Sequence, residues 1–280
     1  MVFILMKKLA KRILADLLEI FLLLLLIAGW GFVENQLLFV TDISVPHNDL
    51  PQAFEGFRIA QISDLHNTEF GKDHARLLKK LREEKPDIIA LTGDLIDSNR
   101  PDGAVSLNFV RQALDIAPCY FVTGNHEGLT GEYAALEMGL KELGVTVLRG
   151  EAVTLERDGA SIRILGVDDP QFGRSVESQL ANLSGEGYSL LLSHRPELFD
   201  TYCQYGISLT LSGHAHGGQF RIPFVGGILA PHQCFLPEYD AGLFTRGQTN
   251  LVVSRGLGNS IFPFRLFNPP ELILITLTRS

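Results

Sequence analysis

The chain has little cysteine and a deficit of positive charge. Its three Cys, at positions 119, 203 and 234, include no CxxC pair among 280 residues. That is too few for a disulfide framework, and it leaves no thiolate zinc site. The thiols read as small buried hydrophobes. Lys and Arg number 24 against 32 Asp and Glu, for a net charge of −8. This balance argues against a duplex nucleic-acid binder that works by neutralising phosphates. The 27 Gly and 13 Pro fall on no period, so a fibrous repeat is excluded. With 46% hydrophobic and 20% charged residues, the remaining possibility is a globular chain of one large domain or two small ones.

Long uncharged apolar runs are also missing, apart from one. Ile20 to Val33 (IFLLLLLIAGWGFV) carries no charge and follows Lys7, Lys8, Lys11 and Arg12. A spanning helix needs roughly 20 apolar residues, a length reached only by counting back to Ile13 and including Asp16 and Glu19. Five consecutive Leu at 22–26 leave no polar face for a soluble core helix. A signal peptide is the competing reading, but no small-x-small cleavage site follows. A retained anchor is therefore favoured, with Trp30 at the interface. Basic residues before the run and Glu34, Asp42 and Asp49 after it predict a single-pass cell-membrane protein with its domain extracytoplasmic. Residues 1–33 are then the anchor. Residues 34–56, polar and with Pro46, Pro51 and Gly56, read as a connector. Residues 57–280 form the domain.

The domain repeats one local pattern. Short apolar strands are expected at 58–63, 87–92, 119–123, 188–192 and 207–211. Amphipathic helices are expected at 74–85, 104–116 and 132–143, with further strands near 145–148, 152–157, 161–167, 250–254 and 271–278. Alternating strands and helices imply α/β architecture, with two packed sheets and helices outside. Each of the five main strands stops at residues suited to holding metal. These are Asp64 and His66, Asp94, Asn125, His194, and His214 with His216. The carboxyl ends of strands converge in such sheets. Mixed carboxylate, imidazole and amide donors suit Mn, Fe or Zn. One cation does not need seven candidates, whereas two cations sharing a carboxylate do. Gly93, Gly124 and Gly213 precede ligands, where the absence of a Cβ permits a tight turn. Taken singly, Asp64, Asp94 and Asn125 also read as turn formers. His47, His74 and His232 read as structural or solvent-facing, and Asp168-Asp169 as a turn.

The ordered set Asp64-x-His66, Gly93-Asp94-x-x-Asp97, Gly124-Asn125-His126-Glu127, His194 and Gly213-His214-x-His216 resembles the calcineurin-like metallophosphoesterase superfamily. The stretches IAQISDLH (59–66), LLSHRPE (191–197), GHAHGGQ (213–219), SRGLG (254–258) and FRLFNPPELILITL (264–277) resemble membrane-anchored bacterial phosphoesterases, including hydrolases of UDP-2,3-diacylglucosamine. The resemblance implies a four-layer α/β sandwich of two packed sheets flanked by helices, following the N-terminal membrane segment. It implies that Asp64, His66 and His216 hold one divalent metal and that Asn125, His194 and His214 hold the other. Asp94 would bridge them. It implies catalytic roles for His126, near the phosphate, and for Asp97, which would orient His126. Two cations lower the pKa of a bridging water, and the resulting hydroxide attacks phosphorus in line.

The expected activity is therefore hydrolysis of a phosphodiester or pyrophosphate bond. Phe220–Phe244 is rich in Phe, Leu and Pro for a loop region. It reads either as ordinary core corners or as a surface that holds acyl chains. Together with the anchor it points to a lipid or nucleotide-lipid substrate such as UDP-2,3-diacylglucosamine of lipid A biosynthesis. The alternatives are a general extracytoplasmic phosphodiesterase acting on another phospholipid or wall polymer, and a non-catalytic metal-binding scaffold. No ligand type and no His126 is missing, which disfavours the scaffold. Basic residues do not cluster beside the motifs, which disfavours a nucleic-acid partner.

Overall fold

A computed structural model of the chain describes residues 2–183, 185–260 and 262–280. The chain enters through α1 (Val2–Glu34), a single helix whose apolar side chains are exposed along its length. The first sheet takes up β1 (Phe39–Pro46), β2 (Arg58–Ile62), β3 (Ile88–Thr92), β4 (Cys119–Val122) and β5 (Thr146–Val147). The second takes up β6 (Glu151–Arg157), β7 (Ala160–Gly166), β8 (Ser189–Leu192) and β9 (Leu209–Ser212). Two small hairpins follow, β10 (Arg221–Ile222) with β11 (Gly226–Gly227), and β12 (Leu229–Ala230) with β13 (Cys234–Phe235). β14 (Gly242–Arg246) and β15 (Thr249–Val253) complete the second sheet, and β16 (Glu271–Thr278) returns to the first. The orders are β1-β16-β2-β3-β4-β5 and β14-β15-β9-β8-β7-β6.

Strand alternation divides the core into layers. In β3, Ile88 and Ala90 face the second sheet, while Ile89 and Leu91 face the helices. In β8, Leu190 and Leu192 join the same inter-sheet core, and Leu191 points to the opposite outer face. Strands buried on both faces are parallel and read as nearly continuous apolar runs. On the first sheet's outer face lie α2 (Ala75–Glu84) and α3 (Gly103–Leu114). The short α4 (Asn125–Leu129) follows β4 directly, and α5 (Tyr133–Leu143) packs beside α3. α2 buries Leu77, Leu78 and Leu81 on one side. The Asp102 side chain caps α3 by accepting from Ala104 N. α6 (Val176–Ala181) and α7 (Phe199–Gln204) cover the second sheet. The expected four-layer sandwich is present.

The reading of residues 34–56 as a connector is corrected. β1 lies parallel to β16 from Phe39↔Glu271 to Pro46↔Thr278. Leu50 and Phe54 are buried in the inter-sheet core. β1 is an edge strand, and only Val45 along it is fully buried. Its polar, exposed positions hid the strand signal. The thiol reading is corrected in part: all three Cys are free, Cys119 is buried, and Cys234 is exposed.

Candidate metal centre and active site

β2, β3, β4, β8 and β9 run parallel within their sheets, and each delivers site residues from its carboxyl end. The turns are tight. Asp64, Asp94, His214 and His216 all have left-handed backbones, with φ of 52°, 53°, 64° and 48°, as does His66 at 46°. Non-glycine residues held in that region concentrate at functional sites. At Gly93 a Cβ would lie 2.7 Å from His194 Nδ1 and from Gly124 N, and at Gly213 it would overlap the Asp64 carboxylate. The glycines permit loops from both sheets to meet.

All seven expected ligands converge. Asp64, His66 and His216 place one donor atom each within a single small cluster, and Asp94, His194 and His214 do the same. His216 Nε2 lies 3.4 Å from Asp64 Oδ1, and His66 Nε2 lies 3.3 Å from His216 Nε2. His194 Nε2 lies 3.2 Å from Asp94 Oδ2, and His66 Nε2 lies 3.7 Å from the same oxygen. Asp94 therefore belongs to the second cluster and reaches the first through His66, with which it also groups beside His126. His194 Nδ1 faces the Thr92 carbonyl at 2.8 Å. A carbonyl only accepts, so Nδ1 carries a proton and the ring is held with Nε2 directed into the site. The buried Asn125 Oδ1 and His194 Nε2 have no hydrogen-bond partner. Such orphaned acceptors fit a cation.

Electrostatics support the same conclusion. Burial pushes the Asp64 carboxyl up to about 6, against the pull of His194. Burial also opposes the charged form of Asp94, yet His194, His66 and His126 together hold it well below the usual range. Burial pushes His66 down to about 4, and His214 and His216 well below the ordinary imidazole value. These three rings are neutral, the form that ligates. Burial also lowers His194, but the Asp94 and Asp64 carboxylates outweigh it and raise it to about 10. The space between those carboxylates favours positive charge.

His126 is buried beside the clusters and borders a cavity of about 230 Å³ with Asp94, Asn125, His214 and His216. Its Nδ1 accepts from Ser98 N at 3.0 Å, so the ring proton sits on Nε2, 3.1 Å from Ser260 Oγ. The role expected of Asp97 is taken by Ser98. Asp97 Oδ1 lies 3.7 Å from His126 Nδ1 and accepts from Asn99 N, while Oδ2 accepts from Arg100. A carboxylate two residues before a tight turn serves its own loop first.

Sequence reasoning missed or misread some residues that shape the site. Glu127, fully buried, accepts from Asp94 N, Leu95 N, Ile96 N and Gly124 N. It ties the β3 and β4 ligand loops together. Its place in the Asn-His-Glu triplet was the available signal. Asp169 is not a simple turn residue, since its carboxylate pairs with buried Arg195. Arg195 Nη1 in turn lies 3.0 Å from His214 Nε2 and 2.7 Å from exposed His232 Nδ1. His47 and His74 are structural and buried, facing the Gln248 and Val105 carbonyls.

Fold and donor set together define a metallophosphoesterase. Residues 57–218, more than half the chain, match the family model described as calcineurin-like phosphoesterase. The chain is 33% identical over 260 residues to the uncharacterized metallophosphoesterase YkuE of Bacillus subtilis (strain 168), covering 89% of this chain and 90% of that one. It is 29% identical over 262 residues to the phosphodiesterase YaeI of Escherichia coli (strain K12), covering 89% of each. The crystal structure of TT1561 of Thermus thermophilus shares the fold, with a TM-score of 0.50 at 12% identity over 72% of this chain and 90% of that one. This chain belongs to the calcineurin-like phosphoesterase family. It is a metal-dependent phosphoester hydrolase whose clusters accommodate two divalent metals.

Proposed function

We propose that the protein hydrolyses a phosphodiester or pyrophosphate bond in a lipid-linked substrate at a membrane surface, with UDP-2,3-diacylglucosamine of lipid A biosynthesis as the specific candidate. The observation that carries this reading is the cavity. Its lining combines Asp94, Asn125, His126, His214 and His216 with apolar Leu229, Pro231 and Phe262. A purely polar substrate has no use for those apolar side chains. α1 supports the reading, since Met6–Glu34 is long and apolar enough to cross a bilayer. We read it as a retained anchor, which raises the effective concentration of membrane substrates.

The residues divide the work as follows. Asp64, His66 and His216 would hold one cation and Asn125, His194 and His214 the other, with Asp94 placed to serve both. Divalent cations at this position supply acidified water and offset charge on phosphoryl oxygens. His126 presents Nε2–H to the cavity, where it donates to the leaving oxygen. Ser98 fixes the tautomer, and Glu127 fixes the two ligand loops. Leu229, Pro231 and Phe262 exclude water from the substrate's apolar portion.

A second reading keeps this chemistry and changes the substrate. The four basic residues before the apolar run favour a domain outside the cell, whereas nucleotide-linked lipid is made inside. An extracytoplasmic phospholipid or wall polymer fits that orientation. The relation to the phosphodiesterase YaeI suits either substrate. The test incubates the Mn²⁺-loaded full chain with UDP-2,3-diacylglucosamine and with bis-p-nitrophenyl phosphate, with and without chelator. Chelator-sensitive release of UMP supports the first reading. Turnover of the simple diester alone overturns it and leaves the second.

A further inference from the structure

We infer that the two small hairpins β10–β11 and β12–β13, with the loop that carries Phe267, form a docking face inserted in the bilayer surface beside α1, so that the catalytic cavity opens onto lipid. The inference rests on α1 being a retained membrane anchor, and not on the identity of the substrate.

Strand direction supplies the first argument. β16 is antiparallel to β2, with Ile273↔Gln61 and Thr276↔Arg58. Its first residue, Glu271, therefore lies toward the carboxyl end of β2, the end from which Asp64 follows. β1 starts opposite Glu271, only a few residues after α1 ends. The anchor thus joins the domain at the edge where the metal ligands gather.

The foot of the anchor supplies the second. The Glu34 carboxylate, 3% exposed, accepts from Phe267 N at 2.9 Å and from Asn268 N. Asn35 accepts from Arg265 N at 3.1 Å and donates to the Pro263 carbonyl at 2.8 Å. The Phe264 ring packs at 5.8 Å from that of Phe32. A Cβ on Gly31 would lie 2.6 Å from Phe264, so this glycine lets the loop lie flush on the helix. Gly31 and Phe32 belong to the uncharged run that ends at Val33. The loop consequently sits at the depth of the run's last turn.

That loop continues into the hairpins. Arg221 N donates to the Leu266 carbonyl at 2.9 Å, and the Phe220 ring lies 5.6 Å from that of Phe264. The hairpins then expose what a water-facing loop avoids. Phe224 is wholly exposed, Phe235 is 76% exposed, Leu236 64%, Val225 61% and Phe267 56%. Arg221, the basic residue of the first hairpin, is paired with Asp240 at 2.9 Å. Phe224, Val225 and Phe267 border one surface depression, and exposed apolar side chains gathered in this way mark a docking surface. Its continuity with the anchor identifies the occupant as the bilayer. Leu229, from the second hairpin, lines the catalytic cavity, so the same element reaches from lipid to the metal centre.

The test uses the full chain in nanodiscs, with the single Trp moved. In a Trp30→Phe background, Phe224→Trp reports on the hairpin. Gln248→Trp, in the β14–β15 turn at the opposite ends of the strands, is the control. Replacing part of the lipid with brominated phospholipid is expected to quench Trp emission in the first variant at least twofold and to leave the control unchanged. Phe235→Trp repeats the measurement on the second hairpin, and circular dichroism confirms folding of each variant. Equal quenching of the hairpin and control variants overturns the docking face. Failure of the chain to co-elute with nanodiscs overturns it together with the anchor. A negative result with UDP-2,3-diacylglucosamine beside strong quenching of the hairpin variants sinks only the substrate proposal.

Discussion

Glu127 shows how a single side chain can hold a catalytic centre together without touching the reaction. Its two oxygens receive four backbone N–H groups from the β3 and β4 loops. Burial and the Asp94 carboxylate push its acid up to about 7, against the Gly124 and Asp94 N–H groups and His194, which favour the ion. In Glu127→Gln an amide N–H₂ faces N–H donors. One unsatisfied buried donor costs about 1–3 kcal/mol, so a loss of roughly 3 kcal/mol is expected in urea unfolding. Metal content should fall with it; unchanged stability would show that the loops hold themselves. A second residue-scale prediction separates His126 from Asp97. His126→Ala should lower kcat by about 10²–10⁴-fold, the range for a positioned acid, with bound metal retained. Asp97→Asn should lower it far less, because Asp97 supports the 97–100 turn and not the ring. If the two variants are equally impaired, Asp97 acts on His126 after all. The ligands were legible in the sequence because each one follows an apolar strand. Glu127 and Ser98 were not, because their partners are backbone N–H groups brought close only by the fold.

At the scale of elements, the segment from β15 to β16 does more than connect strands. Arg265, fully buried, donates to the carbonyls of Arg255 at 2.7 Å and Gly258 at 2.6 Å and to Asn259 Oδ1 at 2.9 Å. Burial pushes the guanidinium down to about 10, and those acceptors keep the loop carrying Ser260 and Phe262 in place. Where the loop ends, Glu271 accepts from Thr41 at 2.6 Å and from Arg255 Nη2 at 2.7 Å, fastening edge strand β1 to β16. Burial opposes its charge, but Arg255 and Thr41 prevail and its pKa is lowered. A carboxylate with a depressed folded-state pKa contributes stability above its unfolded value, and that stability is lost as pH falls through the folded value. Glu271→Gln should therefore be less stable at pH 7 by roughly 3 kcal/mol, the scale for breaking one side of a buried pair. The deficit should shrink as the pH drops below the usual carboxylate range. Urea melts at pH 7 and pH 4 would show it, and a deficit that does not change with pH would refute the assignment. β1 escaped the sequence reading because an edge strand with Thr41, Asp42 and Ser44 lacks clean alternation. β3 and β8, buried on both faces, could not be missed.

For the molecule as a whole, the metal centre is a joint between two sheets. β2, β3 and β4 bring Asp64, His66, Asp94 and Asn125, while β8 and β9 bring His194, His214 and His216. A cation held by both sets cross-links the two halves of the sandwich, adding to the inter-sheet core and to hydrogen bonds such as Gln61 Nε2 to the Ser212 carbonyl. A ligand that binds only the folded state adds about 2.7 kcal/mol at a hundredfold excess over Kd. For a domain of this size that is a rise in melting temperature of about 5–10 °C per saturated site. Mn²⁺ added to chelator-stripped protein should therefore raise the melting temperature in a saturable way, with about two metals bound per chain by elemental analysis. Asp94→Asn is the decisive comparison, because Asp94 lies 3.2 Å from His194 in its own cluster and 3.7 Å from His66 of the other, and so stands between them. The variant should lose most of the thermal shift and bind fewer than one metal. His216→Ala reaches only the cluster with Asp64 and His66, and it should keep one metal and about half the shift. If Asp94→Asn instead behaves like His216→Ala, the two sites fill independently, and Asp94 serves one of them alone.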